Sequence, residues 1–261
     1  MSKHEYTDDE LIRRVWDVEE IKKLVYKRGV YIANEWREKE LDELWVRGAD
    51  ARRTACFGRN TGWYVGMEAI RGYYVDKHLA DRRAQLAAIR AAGPSAADTP
   101  ECLSLGCLSS HPASTGLVEL AGDGETAKGM FYSIAQETTA LPGGAAQALW
   151  MPEKLAFDFR KEDGAWKIWH LVIANDLTGE AGEDYSKGSP YIDYATDPVA
   201  LEFGTPTIPR IIHDATFNWW DNYPPMPEPY EHFTDDISYG PEGYKAPVPP
   251  TLGAGEGRNY A

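Results

Sequence analysis

Proline divides this chain into two parts that must fold differently. Of its 17 prolines, 12 lie in residues 179–261. Proline fixes φ and removes a backbone donor, so this C-terminal part cannot be mostly helix or sheet. It still carries 13 aromatic residues, Trp219 and Trp220 among them, and disordered segments are usually poor in aromatics. The expectation over 179–261 is an extended arm that lays its rings on the preceding domain or on a neighbouring subunit. The arm holds 14 acidic against 4 basic residues, and so most of the chain's net charge of −14. That balance argues against nucleic acid, whose phosphates need clustered Lys and Arg, and against anionic membrane surfaces. No run of 18 apolar residues is present, so no membrane span is expected. The opening Met1-Ser2-Lys3-His4-Glu5 lacks the apolar stretch of a secretory signal. Cys56, Cys102 and Cys107 make neither a disulfide framework nor a zinc set. A reducing cytoplasm fits, and no metal or cofactor is expected.

Residues 1–178 read instead as regular elements joined by short turns. Thr7-Asp8-Asp9-Glu10 is a capping box that starts the first helix. Val18, Ile21, Val25, Ile32 and Trp36 follow at helical spacing. A short helix is predicted over 38–45, with short strands over 54–57 and 63–65 around the turn Gly58-Arg59-Asn60-Thr61-Gly62. A long helix over 67–92 stops at Gly93-Pro94. Strands follow over 114–121, 126–138 and 146–161. Glu162-Asp163-Gly164 then turns into a fourth strand over 165–175, the clearest alternation in the chain.

This order resembles the SnoaL-like branch of the nuclear transport factor 2-like superfamily. The residues that carry the likeness are Asp17–Leu24, Gly62–Ile70, Gly122–Gly129 and Lys161–His170, spread over about residues 8–178. The resemblance implies an α+β fold in which a curved antiparallel sheet is wrapped by helices into a cone, here with the arm appended. It also implies a small hydrophobic or aromatic substrate, and a homodimer or homotrimer. The superfamily hosts dehydratases, isomerases, lyases and pure binding modules, so fold alone does not select the chemistry. Its dehydratases use a Tyr, an Asp and one or two His in the cone. Here the first helix offers Tyr31 and Asn34 at that depth but no Asp.

The candidate catalytic residues are His170, Glu153, His78 and Tyr31. Strict alternation places Trp166, Ile168, His170 and Val172 on one face, pointing into the cone. There His170 acts as acid or base, or is a core histidine bonded to a carbonyl. Glu153 shares its parity with Leu155, Phe157 and Phe159. It is either a carboxylate of raised pKa inside the cone or half of an ion pair at the rim. His78 lies four residues after Tyr74, on one helix face. The pair serves a pocket mouth, a surface or a subunit contact. Substrate contacts are assigned to Tyr74, Arg59, Asn60, Asn34, His111, Trp150 and Lys154, with Asn60 equally explained by turn chemistry. The parity of His111 is open, because Pro112 follows it. The function expected is a cofactor-independent lyase, by dehydration or C–C cleavage such as formaldehyde elimination, on a hydroxylated aromatic or polycyclic substrate. The alternatives are an isomerase and a non-catalytic binding or assembly domain.

Overall fold

The computed structural model describes residues 6–59, 62–92, 103–140, 145–175, 179–182, 208–209 and 224–244. Helix α1, Asp8–Ala33, starts at the capping box: Thr7 accepts from the Glu10 amide and the Glu10 carboxylate accepts from the Thr7 amide. Its apolar stripe, with Ile21, Leu24, Val25 and Ile32, is buried. Asn34 caps the C-terminal end, donating from Nδ2 to the Val30 carbonyl at 2.8 Å. Glu35 then turns the chain at φ 59. Trp36 therefore leaves the expected stripe and stands 46% exposed beside helix α2, Arg37–Leu44. A helix that the sequence reading missed, α3 at Ala49–Thr54, leads into β1 (Cys56–Arg59) and β2 (Gly62–Val65).

The long helix is continuous in path but not in winding. It runs as α4 (Met67–Arg71), a π-helical turn at Gly72–Lys77, and α5 (His78–Ala92). The remaining strands are β3 (Leu108–Ser110), β4 (Ala113–Leu120), β5 (Thr126–Ala140), β6 (Ala146–Glu162), β7 (Ala165–Asn175), β8 (Gly179–Glu180) and β9 (Ile208–Pro209).

The nine strands among the described residues join one curved sheet of order β3-β5-β6-β7-β1-β2-β9, with β4 also on β5 and β8 on β6. Among the described strands, every strand pairing is antiparallel except one. Strand β1 runs parallel to β7, with Cys56 opposite His170. The expected antiparallel sheet stands with that amendment. One face of the sheet packs under the helices, where Phe131, Leu155, Phe157, Phe159, Leu171 and Ile173 form the main core. The outer face carries a second cluster of Cys56, Trp63, Ala156, Val172 and Tyr239. Tyr239 comes from the C-terminal segment 224–244, which lies on that face through two 3-10 turns at Asp235–Ile237 and Pro241–Gly243. Trp219 and Trp220 fall outside the described residues. Among the described residues, no helix is long and apolar enough to cross a membrane.

Strand β7 departs from strict alternation at one point. Asp158 pairs with His170 and Phe159 with Ile168, so Trp169 is the extra residue of a β-bulge. An inserted residue reverses parity beyond it. Trp166 and Ile168 therefore sit in the main core, whereas His170 and Val172 turn to the outer face.

Candidate active site

A pocket of about 130 Å³ opens over the helix-covered face of the sheet, between the end of α1, the π turn, β1 and the β3–β4 link. On the helical side Tyr73, Tyr74, Lys77 and His78 all line it. A π turn adds a residue to one turn of helix, and this one brings adjacent pairs of side chains to the same wall. His78 Nε2 lies 2.5 Å from Glu35 Oε2. The same carboxylate receives Arg82 at 3.0 Å and stands 3.7 Å from Arg37. Glu35 holds a left-handed backbone that costs a non-glycine residue about 1–2 kcal/mol. Glycine is the usual residue after a helix cap, so the carboxylate is retained here against the backbone's preference. Burial, the largest influence, pushes the His78 pKa below its ordinary 6.5 despite the hydrogen bond to Glu35. Arg37 and Arg82 push it in the same direction.

The sheet side presents His111, from the link between β3 and β4, and Glu137 of β5. Gly29 of α1 lets the helix lie close over this link. A Cβ there would stand 3.2 Å from the His111 carbonyl oxygen. The ring is clamped at both ends, with Nδ1 2.8 Å from Glu153 Oε1 and Nε2 3.1 Å from Glu137 Oε1. Burial alone would lower this imidazole, but the charges and hydrogen bonds of Glu153 and Glu137 outweigh it and lift the pKa to about 9. Burial likewise opposes ionisation of Glu137, yet His111, Arg59 and Arg37 hold its pKa at about 2. One pocket thus contains a neutral histidine and a cationic one.

Deeper in the wall, Arg28 pairs with Glu40 at 3.2 Å, both side chains almost fully buried. Tyr74 donates its hydroxyl to Glu40 at 2.5 Å. Burial, and then the Glu40 charge, raise the Tyr74 pKa, so the phenol stays protonated and cannot act as a base. Phe57 and Ile173 complete the apolar floor.

Of the residues singled out in the sequence, His78, Tyr74, Arg59 and His111 line this pocket, and Glu153 reaches it through His111. Glu153 sits inward because β6 alternates without a break. For the same reason Trp150 and Lys154, two residues of opposite parity, lie on the outer face and cannot be contacts in this pocket. His170 is also corrected: the bulge turns it outward, where Nδ1 lies 2.9 Å from Asp158 and 3.1 Å from Ser238 Oγ. Tyr31 points toward α2 and donates to Glu43 at 2.6 Å. Asn34 is an exposed helix cap. Asn60 lies outside the described residues.

Sequence reasoning missed Glu35, Arg28, Arg37 and Glu137. For Glu137 a signal existed, since it shares parity with the inward Phe131, Ser133 and Ala135. Arg28 also had one, as a cation within an apolar helical stripe. Among the described residues, no group of three or more His, Cys, Asp or Glu is placed to hold a metal ion.

A family model described as a SnoaL-like domain matches residues 13–172. No curated protein matches the sequence. Among solved structures, a protein of unknown function from Mycobacterium tuberculosis is 16% identical, with 78% of this chain and 97% of that chain covered and a TM-score of 0.47. A hexachlorocyclohexane dehydrochlorinase of type 3 from Novosphingobium barchaimii is 12% identical, with 66% and 95% covered and a TM-score of 0.44. A nuclear transport factor 2-like protein with a cystatin-like fold from Novosphingobium aromaticivorans is 18% identical, with 66% and 92% covered and a TM-score of 0.40.

Proposed function

The chain belongs to the SnoaL-like domain family, and from that premise we propose that it is a cofactor-independent lyase. Its substrate is a small hydroxylated aromatic molecule, and its mechanism is general acid–base catalysis. The observation that carries this reading is the pair of histidines driven in opposite directions within one pocket. Titratable groups whose environments separate their pKa values fall naturally into base and acid.

Glu35 accepts from Nε2 of neutral His78, which leaves Nδ1 as the basic nitrogen. In a dehydration, His78 takes the proton from the carbon next to the carbinol. The C–O bond breaks, and the departing hydroxyl takes the proton that His111 Nε2 shares with Glu137. In a C–C cleavage the same base takes the hydroxyl proton. The carbonyl forms as the bond breaks, and the carbanion takes the proton from His111. Proton return from His78 to His111 resets the site. An isomerase would use the same pair, the acid supporting the enol oxygen while the base moves the proton. The polar lining favours an enzyme over a packing module.

The test is a product screen with aromatic alcohols and 1,3-diols, following water loss or formaldehyde release by chromatography. H78A and H111Q should each lower turnover by about 10²–10⁴, with the fold retained by circular dichroism. Unchanged turnover in both variants would remove the histidine pair from the reaction.

A further inference from the structure

We infer that this pocket is built for an anionic substrate, a single aromatic ring bearing a carboxylate that is held by Arg37 and Arg59. The inference rests on the lyase reading for the identity of the site and adds the chemical class of its substrate.

The first support is the placement of charge. Arg28, Arg37, Arg59 and Lys77 line the cavity, and among the described residues Glu137 is the carboxylate that lines it with them. Acids that pair with two of these cations, and with His78, stand behind the wall. Glu40 pairs with Arg28, Asp81 receives Lys77 at 2.6 Å, and Glu35 serves His78 and Arg82. Arg37 and Arg59 thus bring positive charge to this wall, where both hold the Glu137 carboxyl low, although the chain as a whole is acidic. The net charge of −14 does not overturn this. Exposed charges are screened beyond about 8 Å at physiological salt, whereas buried charges act at lower effective dielectric.

The second support is an unmet donor. Arg37 Nε is buried and has no hydrogen-bond acceptor among the described residues, its nearest carboxylate being Glu35 at 3.7 Å. A buried donor left unpaired is unfavourable, and a ligand carboxylate would satisfy it. A planar guanidinium also matches a carboxylate in a two-bond geometry, which selects this anion over a spherical one.

The third support is shape. Phe57 stands 5.1 Å from Tyr74 and 5.9 Å from Tyr73, ring centre to ring centre. All three line the cavity, and such rings give an aromatic ligand faces and edges to pack on. A cavity of roughly 150 Å³ accepts benzene. The space here, about 130 Å³, suits one ring, and a fused polycyclic body would have to project from the mouth.

Isothermal titration calorimetry at pH 7 tests this with benzoate, with its neutral isostere benzamide, and with inorganic phosphate. Benzoate should bind at least about tenfold tighter than benzamide, a difference of roughly 1.4 kcal/mol. R37Q should weaken benzoate by about tenfold or more and leave benzamide unchanged. R59Q carries the same comparison should melting show that R37Q does not fold. Equal affinity for benzoate and benzamide, or no benzoate binding, overturns the inference. Phosphate competing as well as benzoate overturns its aromatic carboxylate part. Binding is read without turnover, so the two readings fail separately. Tight benzoate binding with no product from any hydroxylated aromatic acid would sink the lyase and leave the anion site standing.

Discussion

His78 and His111 start from the same ordinary pKa of 6.5, and their neighbours decide what each can do. His78 must be neutral to act as base, so kcat/KM should rise with pH through a value below 6.5. His111 must keep its proton to act as acid, so kcat/KM should fall as pH passes through about 9. A bell bounded by those two limbs is the expected pH–rate profile. The groups that set it are Glu35, Arg37 and Arg82 around His78, and Glu153 and Glu137 around His111. E35Q removes the anion that raises His78, so the acidic limb should move to lower pH while the basic limb stays. A profile with no acidic limb would dismiss His78 as the base. How far the sequence exposes these residues depends on the local geometry. Glu153 was legible because β6 alternates cleanly, and the Tyr74–His78 spacing was legible because four residues span a helical turn. His170 was misplaced because a bulge leaves no mark in residue type at Trp169. Glu35 gave no signal at all, since nothing in a glutamate announces positive φ.

The π turn is the element on which the helical wall of the pocket depends. The periodicity over 67–92 predicts one helix, and one helix is observed in path. The extra residue per turn is invisible to a pattern search because Gly72–Lys77 keeps its apolar spacing roughly intact. Its effect is rotational. Deleting the exposed Asp76 should restore α winding and turn His78 by about 100° relative to Met67–Arg71. Turnover should then be lost with helical circular dichroism almost unchanged. A deletion variant that kept full activity would show that the π winding does not position His78. The other wall depends on the β3–β4 link, where Pro112 left the parity of His111 open in the sequence. The structure resolves it through two strands at once, since Glu153 on β6 and Glu137 on β5 grip opposite ring nitrogens.

At the scale of the whole molecule, one buried carboxylate takes several of the bonds that fasten the C-terminal segment to the sheet, beside those that Tyr230, Glu231 and His232 make at Gly122 and Asp123. Asp158 receives Lys128 Nζ at 2.7 Å, lies 2.9 Å from His170 Nδ1, and accepts from Ser238 Oγ at 3.2 Å and the Tyr239 amide at 2.7 Å. Lys128 also donates to the Ile237 carbonyl and lies under the Tyr239 ring, 3.5 Å from its centre. D158N would leave a buried ammonium without its counter-charge, a loss of about 3–5 kcal/mol for a buried pair. Urea unfolding should show destabilisation of that order, and limited proteolysis should cut within 224–244 faster than in the parent chain. Unchanged protection there would mean that the Tyr239 packing and the bonds at Gly122 and Asp123 hold the segment without Asp158. The fastening has a consequence for the order in which the chain is made. Strand β7 ends at Asn175, and the described segment that covers the sheet's outer face begins about fifty residues later. At 5–20 residues per second, the ribosome takes roughly 2–10 s to deliver it. Before Ser238 and Tyr239 arrive, Lys128, Asp158 and His170 already have one another as partners. The polar part of that face, around Asp158, tolerates the wait, whereas Trp63, Ala156 and Val172 beside it are the apolar side chains that Tyr239 packs on.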